Sequence, residues 1–181
     1  MPSQRWAQSL VEAQADGPTL SNSVTETLIL PGAAVYTLPA NFLAVGSKLR
    51  LTFGGRYSNV ATTPTLRFIL RYGAVSTGVI LFDTTALTTQ AAPVTNVTFR
   101  VRADITVRSI GQSTSATAMT IGEQLGITSA TAPGLVPATA PAVTAGFDST
   151  LATALNLSAI WGTAAAGNTL TLHEYMLESL N

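Results

Sequence analysis

The chain contains no cysteine and one histidine, and only 10% of its 181 residues are Lys, Arg, Asp or Glu. The missing cysteines exclude disulfides, thiol catalysis and any cysteine-based zinc site. The one histidine, His173, is followed by Glu174, but Leu177 stands where a metalloprotease helix needs its second histidine. Adjacent residues of a strand face opposite sides, so His173 and Glu174 are expected to diverge rather than cooperate. A hydrolase triad would have to borrow the same histidine, and no Gly-x-Ser-x-Gly elbow, Walker loop or dinucleotide fingerprint is present. The acids occur singly, without the clustered spacing of a calcium loop or an evident glycosidase pair. The expectation is no enzyme, with no catalytic residue, metal site, cofactor or small-molecule substrate.

Long hydrophobic runs are also lacking. No stretch approaches the roughly 18 apolar residues of a membrane span, and no continuous apolar segment marks a secretory signal. The chain reads as soluble and cytoplasmically made, without a membrane partner.

What remains is 46% hydrophobic residues with threonine and alanine at roughly one residue in seven each. The length fits one domain with a sizeable core. A surface this poor in charge is hard to keep apart from copies of itself, and charge is depleted at the centres of protein interfaces. Much of this surface is therefore expected to be covered in the working state. The 9 basic and 9 acidic residues cancel, so net charge makes no case for nucleic acid. Their distribution is uneven: Lys48, Arg50, Arg56, Arg67, Arg71, Arg100, Arg102 and Arg108 meet only Asp83 and Asp104 in the middle of the chain, while acids dominate both ends. Either the middle forms a basic surface for a polyanion, or its strands pair with carboxylates of the tail or of a neighbouring subunit. Balance within the chain favours pairing.

From residue 24 the hydrophobic period is two. Leu49, Leu51 and Phe53 alternate with Lys48, Arg50 and Thr52, and Leu66, Phe68, Leu70 and Tyr72 with Thr65, Arg67, Ile69 and Arg71. The segment 95–109 alternates Val97, Phe99, Val101, Ala103, Ile105 and Val107 with polar residues, and 151–161 sets Leu151, Leu155, Leu157 and Trp161 on one side. Such alternation marks a sheet with one buried face. About nine short strands with Gly, Pro and Asn connections predict an all-β antiparallel two-sheet sandwich of jelly-roll type over 24–181, with an immunoglobulin-like sandwich as the alternative.

Two segments depart from this pattern. In residues 1–23, Trp6, Leu10 and Ala13 fall at i, i+4 and i+7, which predicts a short helix over 4–14, capped by Ser3 and ended by Asp16-Gly17-Pro18. It either folds back on its own domain or docks as an arm on a partner, with Arg5, Trp6, Leu10 and Val11 as candidate anchors. Residues 123–149 are a run of Ala, Thr, Gly and Pro, with Pro133, Pro137 and Pro141 every four residues. This predicts an extended inter-strand loop, and Pro133, Pro137, Pro141 and Val143 become a candidate strap onto a neighbouring subunit. Carbohydrate binding is a rival use of the surface, with Trp6, Trp161, Tyr36, Tyr57 and Tyr72 as the available rings, though aromatics are only 7% of the chain.

Certain motifs are similar to those of a known group. They are Leu38-Pro39-Ala40-Asn41-Phe42, Gly46 leading into Leu49-Arg50-Leu51, Gly55-Arg56 and Pro64-Thr65-Leu66. Ala140-Pro141-Ala142-Val143, Gly146-Phe147-Asp148-Ser149 and Leu170-Thr171-Leu172-His173-Glu174-Tyr175 follow, and the order Trp6, Leu10, Gly17-Pro18, Leu20 precedes them. Together they span nearly the whole chain, which resembles the small structural proteins of tailed bacteriophages. The resemblance implies a jelly-roll-like virion component and a homotrimer, either a head decoration (cement) protein on the major capsid protein of the head exterior or a fibre-like appendage. It brings no catalytic residue, and it does not decide between head and tail.

Overall fold

Alternating strands bury one face each, and two such faces laid together make a core that water cannot reach. The computed structural model, which describes residues 7–60 and 63–180, solves the problem in this way. In chain order the strands are β1 (Ala7–Glu12), β2 (Leu20–Ser21), β3 (Thr27–Leu28), β4 (Tyr36–Leu38), β5 (Lys48–Asn59), β6 (Thr65–Tyr72) and β7 (Val79–Asp83). They continue with β8 (Leu87–Thr88), β9 (Val94–Ser109), β10 (Thr117–Leu125), β11 (Gly134–Val136), β12 (Thr153–Trp161) and β13 (Thr169–Leu180). A single 3-10 turn, Gly32–Ala34, is the one helical element among the described residues.

One sheet runs β1-β13-β5-β9-β10-β11 and the other β3-β12-β6-β7, and every pairing is antiparallel. Take β1, β3, β5, β6, β7, β9, β12 and β13 as eight successive strands. The first then pairs with the last, the second with the seventh, the third with the sixth and the fourth with the fifth. That nested pairing is a long hairpin wound over itself, the jelly roll. An immunoglobulin sandwich groups its strands differently. The β10–β11 hairpin is an addition that widens the first sheet beyond β9.

Between the sheets, Phe53 and Tyr57 of β5 and Phe99 of β9 meet Phe68 of β6 and Trp161 of β12, all at most 2% exposed. Phe68 lies 5.1 Å from Phe53 and 5.3 Å from Phe99 between ring centroids, within the range of favourable aromatic pairs. The alternation read from the sequence in β5, β6, β9 and residues 151–161 holds with two exceptions. Ile69, on the polar register of β6, is 1% exposed, while Leu151 stops short of β12 and is 57% exposed.

Among the described residues two buried side-chain polar atoms have no hydrogen-bond partner, the Trp161 indole nitrogen and the Tyr175 hydroxyl. Burial pushes the Tyr175 phenol well above the ordinary tyrosine range. An orphaned buried hydroxyl costs about 1–3 kcal/mol of desolvation. Tyr175→Phe is therefore expected to match or exceed the parent in urea unfolding, and a loss above 1 kcal/mol would reveal a partner for that hydroxyl.

Over the described part of the predicted N-terminal helix, residues 7–14, no helix is formed. Residues 7–12 are the edge strand β1, paired with β13 from Ala7↔Leu180 to Glu12↔Met176. The pairing continues where the Ala13 and Gly17 amides donate to Tyr175 and Leu172 carbonyls at 2.8 and 2.9 Å. A lone helix of that length is marginal in water, whereas a strand beside β13 gains a full row of hydrogen bonds. A register shift between Ser9 and Val11 sets Leu10 and Val11 both half-buried against the core, which no simple period describes.

The long Ala/Thr/Pro segment is likewise more ordered than a loop. It leaves the end of β10, returns as β11 against Gly122–Gln124, and touches β10 again through the bridges Met119↔Val143 and Ala116↔Phe147. It is an interrupted edge strand. Between Val136 and Val143 the chain bulges away from β10, and Pro137 and Pro141 stand at the ends of that excursion, where no ladder donor is needed.

Candidate functional site

The outer face of the larger sheet is open to solvent along β5 and β9, and its shape follows from register. Outward residues of β5 are Lys48, Arg50, Thr52, Gly54 and Arg56; those of β9 are Thr98, Arg100, Arg102, Asp104, Thr106 and Arg108. Gly54 sits between Arg100 on one side and Glu174 on the other. With no side chain there, the sheet carries an open hollow of about 610 Å³. A Cβ on Gly54 would lie 2.9 Å from the Phe99 carbonyl oxygen, closer than real contacts allow, so the backbone itself forms the floor.

The walls correct one sequence-based expectation. His173 and Glu174 do not diverge: both line this hollow. The register of β13 against β5 skips at this point, Leu172 pairing with Gly55 and Glu174 with Gly54. The extra residue is a β-bulge, and bulges re-aim side chains that strict alternation would send to opposite faces. His173 Nδ1 then lies 2.7 Å from Asp16 Oδ1, and Glu174 lies 3.5 Å from the Arg100 guanidinium. Arg56, Asn96 and Thr98 complete the rim.

Farther along the same seam a second depression, of about 380 Å³, is lined by Arg50, Arg102, Glu123, Leu125, Pro133 and Glu178 among others. Here Arg50 is committed to Asp104 through two hydrogen bonds of 2.8 and 3.1 Å, which hold the Asp104 carboxyl below its ordinary range. At its edge and beyond it, Leu125, Ile121 and Leu135 stand 42%, 52% and 67% exposed on the outer side of β10 and β11.

Basic residues of the middle strands do find acids, though mostly not those of the tail. Arg50 pairs with Asp104 and Arg67 with Asp83, both inside the middle region, and Arg71 with Glu26. The tail supplies only Glu174, and that pair with Arg100 is the longest of the arginine–carboxylate bridges. Among the described residues, Lys48, Arg56, Arg102 and Arg108 have no carboxylate within 4.0 Å.

Of the residues singled out from the sequence, Arg5 and Trp6 lie outside the described residues, and Leu10 and Val11 are half-buried on β1. Pro133 borders the second depression. Pro137 and Val143 line a separate cleft of about 610 Å³ between β7 and the edge segment, and Pro141 is exposed and does not line it. The prolines and the N-terminal residues thus sit at different places and form no common site. Trp161, Tyr57 and Tyr72 are buried, at 0%, 1% and 6% exposure, and Tyr36 is half-buried, so no described tyrosine or tryptophan ring is fully exposed for stacking on a sugar.

Among the described residues no group of three or more His, Asp and Glu side chains could hold a metal ion, and no helix is long and apolar enough to cross a membrane. The Arg56–Gly54–Arg100–Arg102 arrangement was not picked out in the sequence, although the positive balance between Lys48 and Arg108 was its trace. Comparison with protein-family models and with curated proteins finds no match to this chain.

Proposed function

We propose that this chain is a virion structural protein, a capsid cement or decoration protein that stabilises a phage head by bridging major capsid subunits as a homotrimer. The observation that carries the reading is the exposed apolar strip of Ile121, Leu125 and Leu135, which stands on the hairpin added to the jelly roll. Isolated apolar residues on a surface are ordinary, but three on one side of a hairpin, on a chain with so little charge, suit a contact between subunits. We assign this strip to the sister copy within the trimer, and the segment before β1 to the capsid shell. The mechanism is mechanical. Each bound trimer adds buried surface that shell opening has to break, so occupancy stabilises the assembled state by mass action. Apolar burial supplies about 25 cal/mol per Å², reduced by the cost of ordering whatever docks.

Sedimentation tests the trimer: the expected mass is three times 18.7 kDa, and Leu135→Glu is expected to reduce it to one. A parent protein that sediments as a monomer at micromolar concentration rejects the assignment. For the shell contact, deletion of residues 1–6 spares β1 and the pairing to β13, so the thermal midpoint should hold while binding to expanded heads is lost. Truncated protein that still decorates heads would place the anchor elsewhere. Adhesion to host-surface glycan, the appendage alternative, is weakened by the buried rings; a hit on a glycan array without any head binding would favour it.

A further inference from the structure

The arginines of the larger sheet's outer face are spaced in a way that folding does not use; Arg100 and Arg102 are register neighbours of Leu125 and Glu123, so the row they form runs along the edge of the strip assigned above to the sister copy. In the β5–β9 register, Arg56 faces Thr98, Gly54 faces Arg100 and Thr52 faces Arg102. One guanidinium therefore projects at each of three successive outward levels. Successive outward levels of a strand are two residues apart, about 6.8 Å. Arg56 and Arg102 have no carboxylate within 4.0 Å among the described residues, and Arg100 shares only its 3.5 Å contact with Glu174, both side chains about two-thirds exposed. Gly54 at the middle level removes the side chain that would otherwise keep a ligand off the sheet.

We infer that this ladder is a docking site for an extended acidic peptide segment whose carboxylates recur at every second residue. Such a segment presents its carboxylates at the same step of about 6.8 Å along the strands; Arg56 on β5 stands about 4.8 Å to the side of Arg100 and Arg102 on β9, an offset that the long arginine side chains span, so an extended segment can meet all three guanidiniums. The flanks set the selectivity. Glu174 on β13 and Glu123 on β10 border the ladder, so a ligand with one acidic row fits between them and one acidic on all sides is repelled. A single-stranded nucleic acid has a similar phosphate step, but the acidic walls oppose it and no described tyrosine or tryptophan ring is exposed for base stacking. For the identity of the partner as a capsid shell the inference rests on the reading above; the site itself is tested without a shell.

The probes are fluorescent peptides of alternating Glu and Thr, a block isomer with the same composition, an alternating Lys/Thr peptide, oligothymidylate and oligogalacturonate, each followed by anisotropy on the full chain. The alternating acidic peptide should bind saturably, weaken with salt, and bind more tightly than its block isomer. Exposed ion pairs contribute little each, so Arg56→Ala and Arg102→Ala should each weaken binding about threefold, and about tenfold together. Arg108→Ala, on the same face but outside the ladder, should change nothing, and thermal midpoints should be unaltered. Equal or tighter binding of the block isomer, the oligonucleotide or the saccharide overturns the inference, as does the absence of saturable binding. If the acidic peptide binds as expected while the chain fails to decorate heads, the capsid reading falls and the ladder stands.

Discussion

Glu26→Ala is expected to lower stability by about 3–5 kcal/mol, enough to threaten a domain of ordinary stability. The Glu26 carboxylate receives both Nε and Nη2 of Arg71 at 2.6 Å, and the Ser158 hydroxyl donates to it at the same distance. The two charged side chains are 8% and 12% exposed. Arg71 also donates to the Gly78 carbonyl, so this cluster ties the segment before β3 to β6, β12 and the turn ahead of β7. Removing the carboxylate leaves a guanidinium out of water without its counter-charge, which costs far more than loss of an exposed pair. Hydrogen bonds from Arg71, foremost, hold the Glu26 carboxyl below its ordinary range. A depressed carboxyl contributes stability that is complete above its unfolded pKa, about 4.3, and is lost as pH falls through the folded value. In urea unfolding, the gap between parent and Glu26→Ala should therefore be widest at neutral pH and should shrink at pH 3. A gap that is the same at both would mean that the pair contributes nothing specific.

Phe68→Ala should cost about as much, about 3–5 kcal/mol, for a different reason. Phe68 is the residue of the smaller sheet that touches two rings of the larger one, and it is fully buried. Its loss removes apolar contact and leaves a void that two stiff sheets cannot collapse around. For a domain of this size that corresponds to a midpoint lower by about 10 °C. Val45→Ala, which trims a side chain 64% exposed, should stay within about 0.5 kcal/mol. Calorimetry on both variants separates burial from side-chain type, and similar losses in the two would contradict the core described here.

Strands buried on one face were readable in the sequence because burial itself imposes the period of two. This covers β5, β6 and β9, and with them the sandwich. Edge elements were not. In β1 a register shift places Leu10 and Val11 side by side against the core, and the remaining spacing of Trp6, Leu10 and Ala13 imitates a helix. Residues 134–147 alternate too weakly to be seen, since an edge strand touching its neighbour at intervals needs few apolar residues. The arginine ladder was hidden for a third reason. Arg56 and Arg100 lie 44 positions apart in the chain, and only the pairing register sets them one level apart; the hollow beside them depends on an extra residue at His173 that no period reveals.

Pairing the first strand with the last has a consequence for how the molecule can be cut and joined. Ala7 and Leu180 are register partners, so their Cα atoms are about 5 Å apart, a gap that a short linker closes. Joining Leu180 to Ala7 through such a linker makes the segment 7–180 a ring, and new ends can then be opened in an exposed turn such as 73–78, between β6 and β7, without unthreading a strand. The order in which the eight strands are written along the chain is thus separable from the way they nest. A rearranged gene should give the same sandwich with its free ends on a different side.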